Sequence, residues 1–475
     1  MYAGRSVQEA LQSSSNRPLL LSPTAGPLNG AELDERVARL AGYLADRGLE
    51  RSRIGLAYRN SFSAIEAFLA VERVGGTRIP VDADLVPSEA RSMLDAAGVR
   101  AVLADREHAE GFGEGTLIHD DDRPLAGNAY SKQQEVGEED AFMVYPRSVA
   151  GGSLFGVTIS YGNWRAIMDL NCKLYRDGWY GPAVADDDVL ITVQQIMHGT
   201  GMVATFPFLL LGLPQVVLPR FHADTLLGII DKYRATTFFA VPGMLTRLAR
   251  LLDESHRDIT ANPLPLRRTL YGGAPLTTAE LRYVIAHMGG SLVQLYGRME
   301  AGWPLAILGQ PEHAEIAAGD EELASSCGRF IPDIEMRLAT IPNRPSGEGE
   351  LQTRNAMVCA QYADHDGWCS LGDVAHIDSG NYVHLAGRLD DMINTGSYHV
   401  YPRQVEEEIR RVAGVKAVKV RGTPDPKWGQ AVTAFIVPED PTPWADLVAA
   451  VDSHLKKRLA KYKLPKVYHK VDRLP

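Results

Sequence analysis

Apolar positions along the first half of the chain alternate between two rhythms. Residues 64–74 carry them at helical spacing, Gly75-Gly76 breaks the pattern, and residues 78–81 begin a short extended run. Residues 88–97 predict a second helix with Ser88 at its start, followed by a strand at Ala101-Val102-Leu103. Further on, residues 225–233 predict a helix, 236–241 a strand and 244–252 another helix. Such alternation argues for α/β layers with largely parallel strands. After about Pro342 glycines become dense, and the strand-like runs at 350–353, 374–377 and 382–385 are short and turn-separated, as in a small barrel or meander. Beyond Arg388 the pattern changes again: an amphipathic helix at 405–412, strands at 415–420 and 431–437, and a helix at 444–459.

This pattern places the chain in the α/β class. A large N-terminal domain (residues 1–389) combines layered α/β subdomains with a small barrel-like subdomain, and a small α+β C-terminal domain spans 390–475. No flexible linker marks the boundary near Leu389-Asp390, so a hinge between packed domains is expected there. The length of 475 residues already calls for more than one hydrophobic core. Hydrophobic content of 45% and charged content of 23% are ordinary for a globular protein, and a net charge of −10 argues against a dedicated nucleic-acid binder. The longest apolar run, residues 207–214, is too short to span a bilayer, and no secretory signal opens the chain. Cys172, Cys327, Cys359 and Cys369 have no metal-like spacing and read as reduced thiols in a cytoplasm.

The candidate chemistry lies in a series of short motifs. Residues 143–161 read as two apolar strands around a small-residue loop, whose successive N–H groups could form an anion nest. An ordinary hairpin loop is the competing reading of that segment. His198 stands in Met-His-Gly-Thr-Gly, where a lone histidine is more often structural than catalytic. Four motifs then follow in order: Gly272-Gly273-Ala274-Pro275, Tyr296-Gly297-Arg298-Met299-Glu300, Gly372-Asp373 and Gly387-Arg388-Leu389-Asp390-Asp391. The first follows strand-like Leu270-Tyr271, and its glycines allow close backbone approach to a flat ligand.

In this order the motifs resemble the nucleotide-binding motifs of the adenylate-forming superfamily: acyl- and aryl-CoA synthetases, peptide-synthetase adenylation domains and luciferases. The CoA-ligase branch is the nearest. The resemblance implies ATP-dependent activation of a carboxylic acid as an acyl-adenylate, then transfer to the thiol of CoA or of carrier-protein phosphopantetheine. The cofactors implied are ATP/AMP, Mg²⁺ and that thiol carrier. Ser148, Gly151, Gly152 and Ser153 would belong to the loop holding the β- and γ-phosphates, and residues 272–275 would line the adenine and acyl sites. Tyr296, beside Gly297, offers a ring to stack on adenine, and Glu300 offers carboxylate oxygen to Mg²⁺, with Arg298 close by. Asp373 would accept from both ribose hydroxyls, assisted by Arg388. His198 would sit at the mouth of the acyl pocket, and Gly396 would line the pantetheine tunnel. Asp390 matches the hinge about which the small, mobile domain rotates, and residues 423–430 look like the CoA-ligase branch. The basic stretch 456–470 reads first as a solvated helix face, ahead of a docking site for CoA phosphate or a carrier protein.

Three departures bear on activity. Phe155 stands where the phosphate loop has lysine, Met299 where threonine donates to the α-phosphate, and the given sequence ends at Pro475, before the segment that carries a further lysine in relatives. Each such donor is typically worth about 10²–10³ in rate. Arg147 and Arg298 are candidate substitutes. No aspartate lies between Gln194 and Met202 to pair with a substrate ammonium, so an acid without an α-amino group is favoured. Gly199, Thr200, Met202 and Gly243 suggest a pocket for an aromatic or medium aliphatic acid. An acid–thiol ligase is the favoured reading. A degenerate adenylate- or nucleotide-binding homologue and a divergent ligase passing its adenylate to an amine or other nucleophile are the alternatives. An acyl carrier protein and a homodimer partner are left open; a nucleic acid and a membrane span are not expected.

Overall fold

In a computed structural model of the chain, the described residues are 6–474, except 83–84, 113–114, 122–123, 151–152, 275, 342–346, 390–392, 397, 401 and 440–441. At 148–150, 153–155, 386–388, 399, 403 and 407 only the backbone is described. Strands Leu190–Thr192, Gln215–Val217, Thr237–Ala240, Arg268–Gly272 and Leu292–Arg298 run parallel at the centre of a thirteen-stranded sheet. Thr237–Ala240 and Arg268–Gly272 are buried at every position, so these segments do not alternate apolar with polar. Arg268 is tolerated there because its guanidinium meets the equally buried Asp188 carboxylate at 2.9 Å.

The helices that cross between these strands lie close to the predicted spans. The helix expected at 244–252 is Pro242–Glu254, extended upstream because Pro242 sits in the first turn, where its missing N–H is harmless. The same device starts Pro87–Ala96: Pro87, not Ser88, opens that helix. The turn-dense stretch forms an antiparallel meander of Glu335–Thr340, Glu348–Arg354, Cys369–Ile377 and Tyr382–Arg388. Strands Ser326–Phe330 and Gly302–Leu308 join that meander to the parallel sheet.

A second, six-stranded sheet contains the hairpin Ala141–Ala150 and Ser153–Ser160. Here the expected loop between 146 and 156 is corrected. Pro146 pairs with Gly156, Ser148 with Phe155 and Ala150 with Ser153, so the ladder continues almost to the tip. Those backbone groups are committed to strand pairing up to Ala150 and from Ser153 onward.

The C-terminal unit has its own core, built from Val405, Ile409, Val420, Val432, Val451 and Leu455 among others. Helix Pro402–Arg410, the long hairpin Val415–Asp425 and Gly429–Pro438, and helix Trp444–Arg458 supply it. The hairpin runs past the predicted strand end at 420 because residues 421–425 go on pairing with 433–429, which carries Arg421, Gly422, Pro424 and Asp425 to the cavity described below. No helix among the described residues is long and apolar enough to cross a membrane.

Candidate active site

One cavity of about 2250 Å³ opens beyond the C-terminal ends of the parallel strands, where open α/β sheets place their ligands. His198, Gly272, Gly273, Ala274, Tyr296, Gly297, Arg298, Glu300, Asp373 and Gly396 all line it. Sequence positions spread over two hundred residues thus meet at one surface. Gly273 turns the chain out of its strand with φ of 87°, a conformation open to glycine. At Gly297 a Cβ would lie 2.0 Å from Trp303 Cδ1, so only glycine lets the strand pass that indole.

Strand Leu292–Arg298 delivers the polar side chains. Tyr296 donates its hydroxyl to Asp373 Oδ2 at 2.6 Å, and burial followed by the Asp373 charge pushes the Tyr296 pKa well up. Tyr296 is therefore a fixed neutral donor, and its ring and the Asp373 carboxylate share one wall. Arg298 donates to the Leu371 carbonyl and approaches Glu300 Oε1 at 3.5 Å and Asp373 Oδ2 at 4.0 Å. From the other sheet, Arg147 donates to Glu300 Oε1. Burial pushes the Glu300 carboxyl up, but the Arg147 guanidinium and then Arg298 outweigh it and hold the pKa down to about 2. Glu300 Oε2 is buried and has no hydrogen-bond partner. A buried, ionised carboxylate oxygen with nothing on it suits a hard divalent cation.

His198 precedes helix Gly199–Leu210, its ring edge-on to Tyr145 at 5.5 Å and its Nδ1 3.2 Å from Thr200 Oγ1. Burial lowers its pKa, Asp82 opposes and Arg147 adds to the depression, so it is neutral at pH 7. Gly199 lies against Met299: a Cβ on Gly199 would come within 2.6 Å of Met299 Cε. Behind them Trp164, Ile167, Met202, Val203, Met244 and Trp303 give the cavity an apolar arm.

Several predicted positions lie outside the described residues: Gly151, Gly152, Pro275 and Asp390 entirely, and the side chains of Ser148, Ser153 and Arg388. The Arg388 backbone pairs opposite Asp373. The sequence reading did not single out Trp164 or Trp303, since an aromatic wall has no motif. The one signal for Trp303 was its place just after Glu300, where the chain turns back along the Tyr296 strand.

Comparisons with known proteins agree with this geometry. The family model for AMP-binding enzymes matches residues 7–363, and the model for the AMP-binding enzyme C-terminal domain matches 404–475. The chain is 30% identical over 473 residues to a feruloyl-CoA synthase of an Amycolatopsis species, covering 94% of this chain and 91% of that one. It is 26% identical over 461 residues to the 2-succinylbenzoate–CoA ligase of Bacillus pumilus, covering 94% and 89%. Among solved structures, o-succinylbenzoate CoA synthetase (MenE) of Bacillus subtilis, bound with its product analogue OSB-NCoA, shares the fold with a TM-score of 0.84 at 23% identity, covering 99% and 94%. The amide bond synthetase McbA from Marinactinospora thermotolerans gives a TM-score of 0.83 at 25% identity, covering 99% and 96%. The chain belongs to the AMP-binding enzyme family, within the adenylate-forming superfamily and on its CoA-ligase branch.

Proposed function

We propose that the protein activates an aromatic carboxylic acid with ATP and passes the acyl group to the thiol of CoA. In the first step a carboxylate oxygen attacks the α-phosphorus of ATP, and the bond to pyrophosphate breaks. In the second the thiol attacks the acyl carbon and AMP leaves. The observation that carries this reading is the convergence of the Tyr296–Asp373 pair, the Arg147–Glu300–Arg298 cluster and an apolar arm on one cavity.

Two anions must meet in the first step, so the protein's main task is to stabilise charge on the phosphates. Arg147 and Arg298 are the cations at that point of the cavity. Glu300 Oε2 would hold Mg²⁺, which supplies further neutralisation of phosphate charge when bound. Asp373 is an acceptor for ribose hydroxyls, with Tyr296 fixing its orientation. The backbone at residues 272–274 and the Tyr296 ring form the face for the base. Neutral His198 at the mouth of the acyl arm orients the acid without adding charge.

The apolar walls suit an aromatic acid, in keeping with the acids that name the relatives. A cytoplasmic setting fits the use of ATP and CoA and the four free, buried cysteines. We place the domain boundary at 389/390 with Asp390 as hinge, since the two family models end and begin on either side of it. Carrier-protein phosphopantetheine presents the same thiol arm and is the second acceptor to test.

Calorimetric titration with ATP and with AMP, each with and without Mg²⁺, tests the nucleotide part without knowledge of the acid. Magnesium-dependent ATP binding supports the reading, and absence of binding by either nucleotide contradicts it. Pyrophosphate release across a panel of aromatic acids, with CoA, a carrier protein or an amine as acceptor, then identifies both substrates.

A further inference from the structure

The cavity is closed on one side by the C-terminal unit, through Asn394, Gly396, Tyr398, Trp428 and Lys463. A buried carboxylate of the N-terminal body lies at the seam with that wall. Glu89, on helix Pro87–Ala96 of the N-terminal body, accepts Lys463 Nζ at 2.6 Å and Gln404 Nε2 at 2.9 Å on Oε1. On Oε2 it accepts the Ala460 amide at 2.8 Å. Lys463 also donates to Gln404 Oε1 at 3.2 Å, and the Glu89 and Lys463 side chains are only 4% and 3% exposed. Three donors from the C-terminal unit thus converge on one carboxylate of the body.

The connection reaches the cavity in two steps. Tyr462, next to Lys463, stacks on Tyr398 with ring centroids 4.1 Å apart and planes 15° from parallel. Tyr398 begins a strand paired with Ile393–Thr395, and Gly396 lies in the turn between them, its amide donating to the Trp428 carbonyl at 2.7 Å. By contrast Glu300, Arg147, Arg298 and Asp373 all belong to the N-terminal body. An apolar seam would hold two surfaces together in many registers. A buried ion pair with both carboxylate oxygens hydrogen-bonded is satisfied in few arrangements, and its partners regain water when they separate.

We propose that Glu89 and Lys463 are positioning residues that clamp the C-terminal unit over the cavity and so govern acyl transfer rather than adenylate formation. The kinetic part rests on the acid–thiol ligase reading above; the positional part rests on the geometry alone.

The test uses the full chain with Glu89→Gln, Lys463→Met and the double variant Glu89→Met/Lys463→Met. Glu110→Cys and Lys470→Cys carry spin labels, since both positions are exposed and the four native cysteines are buried. The unmodified seam should give one narrow distance distribution, and each single variant a broad one. Thioester formation should fall about tenfold with a raised KM for CoA, while acid-dependent pyrophosphate release is unchanged or faster. The double variant, with no charge left buried, should keep its melting temperature and still show the broad distribution. Unchanged narrow distances in Lys463→Met would overturn the proposal, as would equal loss in both half-reactions. A protein that releases no pyrophosphate even unmodified would defeat the ligase reading, and the label distances would then decide the clamp by themselves.

Discussion

Arg147 donates to the Glu300 carboxylate across the mouth of the cavity, linking a hairpin of one sheet to the turn after a strand of the other. Their side chains are 13% and 8% exposed, so the pair interacts in a poorly screened setting. The two residues are 153 positions apart, and no motif joins them.

Arg147→Ala leaves Glu300 with Arg298 at 3.5 Å as its remaining cation. Its pKa should rise from about 2, and global stability at pH 7 should drop by about 3 kcal/mol. Because the folded pKa lies below the unfolded value, the stabilisation is complete above pH 4.5 or so and fades as pH falls towards 2. Denaturant unfolding of both proteins between pH 7 and 3 should therefore show the gap closing at the acid end. The double variant Arg147→Ala, Arg298→Ala should lose on the order of 10²–10³ in adenylate formation. A normal rate would remove both arginines from the chemistry.

Met299→Thr puts a hydroxyl where the α-phosphate is expected and shortens the side chain beside Gly199. Adenylate formation should rise by about tenfold, the gain from one added donor at a charged transition state. Stopped-flow pyrophosphate release measures it. Gly199→Ala, by contrast, displaces the flexible end of Met299, since an added Cβ would otherwise lie 2.6 Å from its Cε, and should change the same step by less.

Asp373→Asn should weaken AMP binding at least about tenfold, because it removes the negative charge and turns one accepting oxygen into a donor NH2. Tyr296→Phe removes only the 2.6 Å donor that orients Asp373 and should have a smaller effect. Calorimetry with AMP separates the two.

Stability also carries a histidine signature. His313 is buried, and burial lowers its pKa to about 4 against gains from the Gly309 carbonyl and Glu312. The unfolded chain binds this proton near pH 6.5, so the native state loses stability as pH falls from 6.5 to 4, by about 3 kcal/mol in full. A His313→Gln variant should lack that slope when unfolding is compared with the parent at pH 7, 5.5 and 4.

Most elements were legible because their signals are local. Periodicity in residues 225–254 and turn chemistry in 350–385 report backbone preference over a few residues, and the structure places helices and strands there. Part of the candidate site was legible for a related reason: Tyr296, Glu300 and Asp373 sit in or beside glycine-marked motifs, and all three line one cavity. The hairpin from 141 to 160 was read too short, since small residues that look like a loop are held as strand by pairing across the ladder. Lys463 was the sharpest miss. In a run of basic residues it looks solvated, yet it is 2% exposed because Glu89, far away in the chain, waits for it.

The order of elements, the α/β class, the nucleotide motifs and the absence of an apolar span are thus properties of the sequence itself, since each depends on neighbours within one turn or one strand. Tertiary structure alone decided the Arg147–Glu300 pair, the aromatic wall of the apolar arm and the carboxylate seam between the two units. These contacts join residues with no sequence relation, and their energies come from burial and charge that exist only once the sheets have packed.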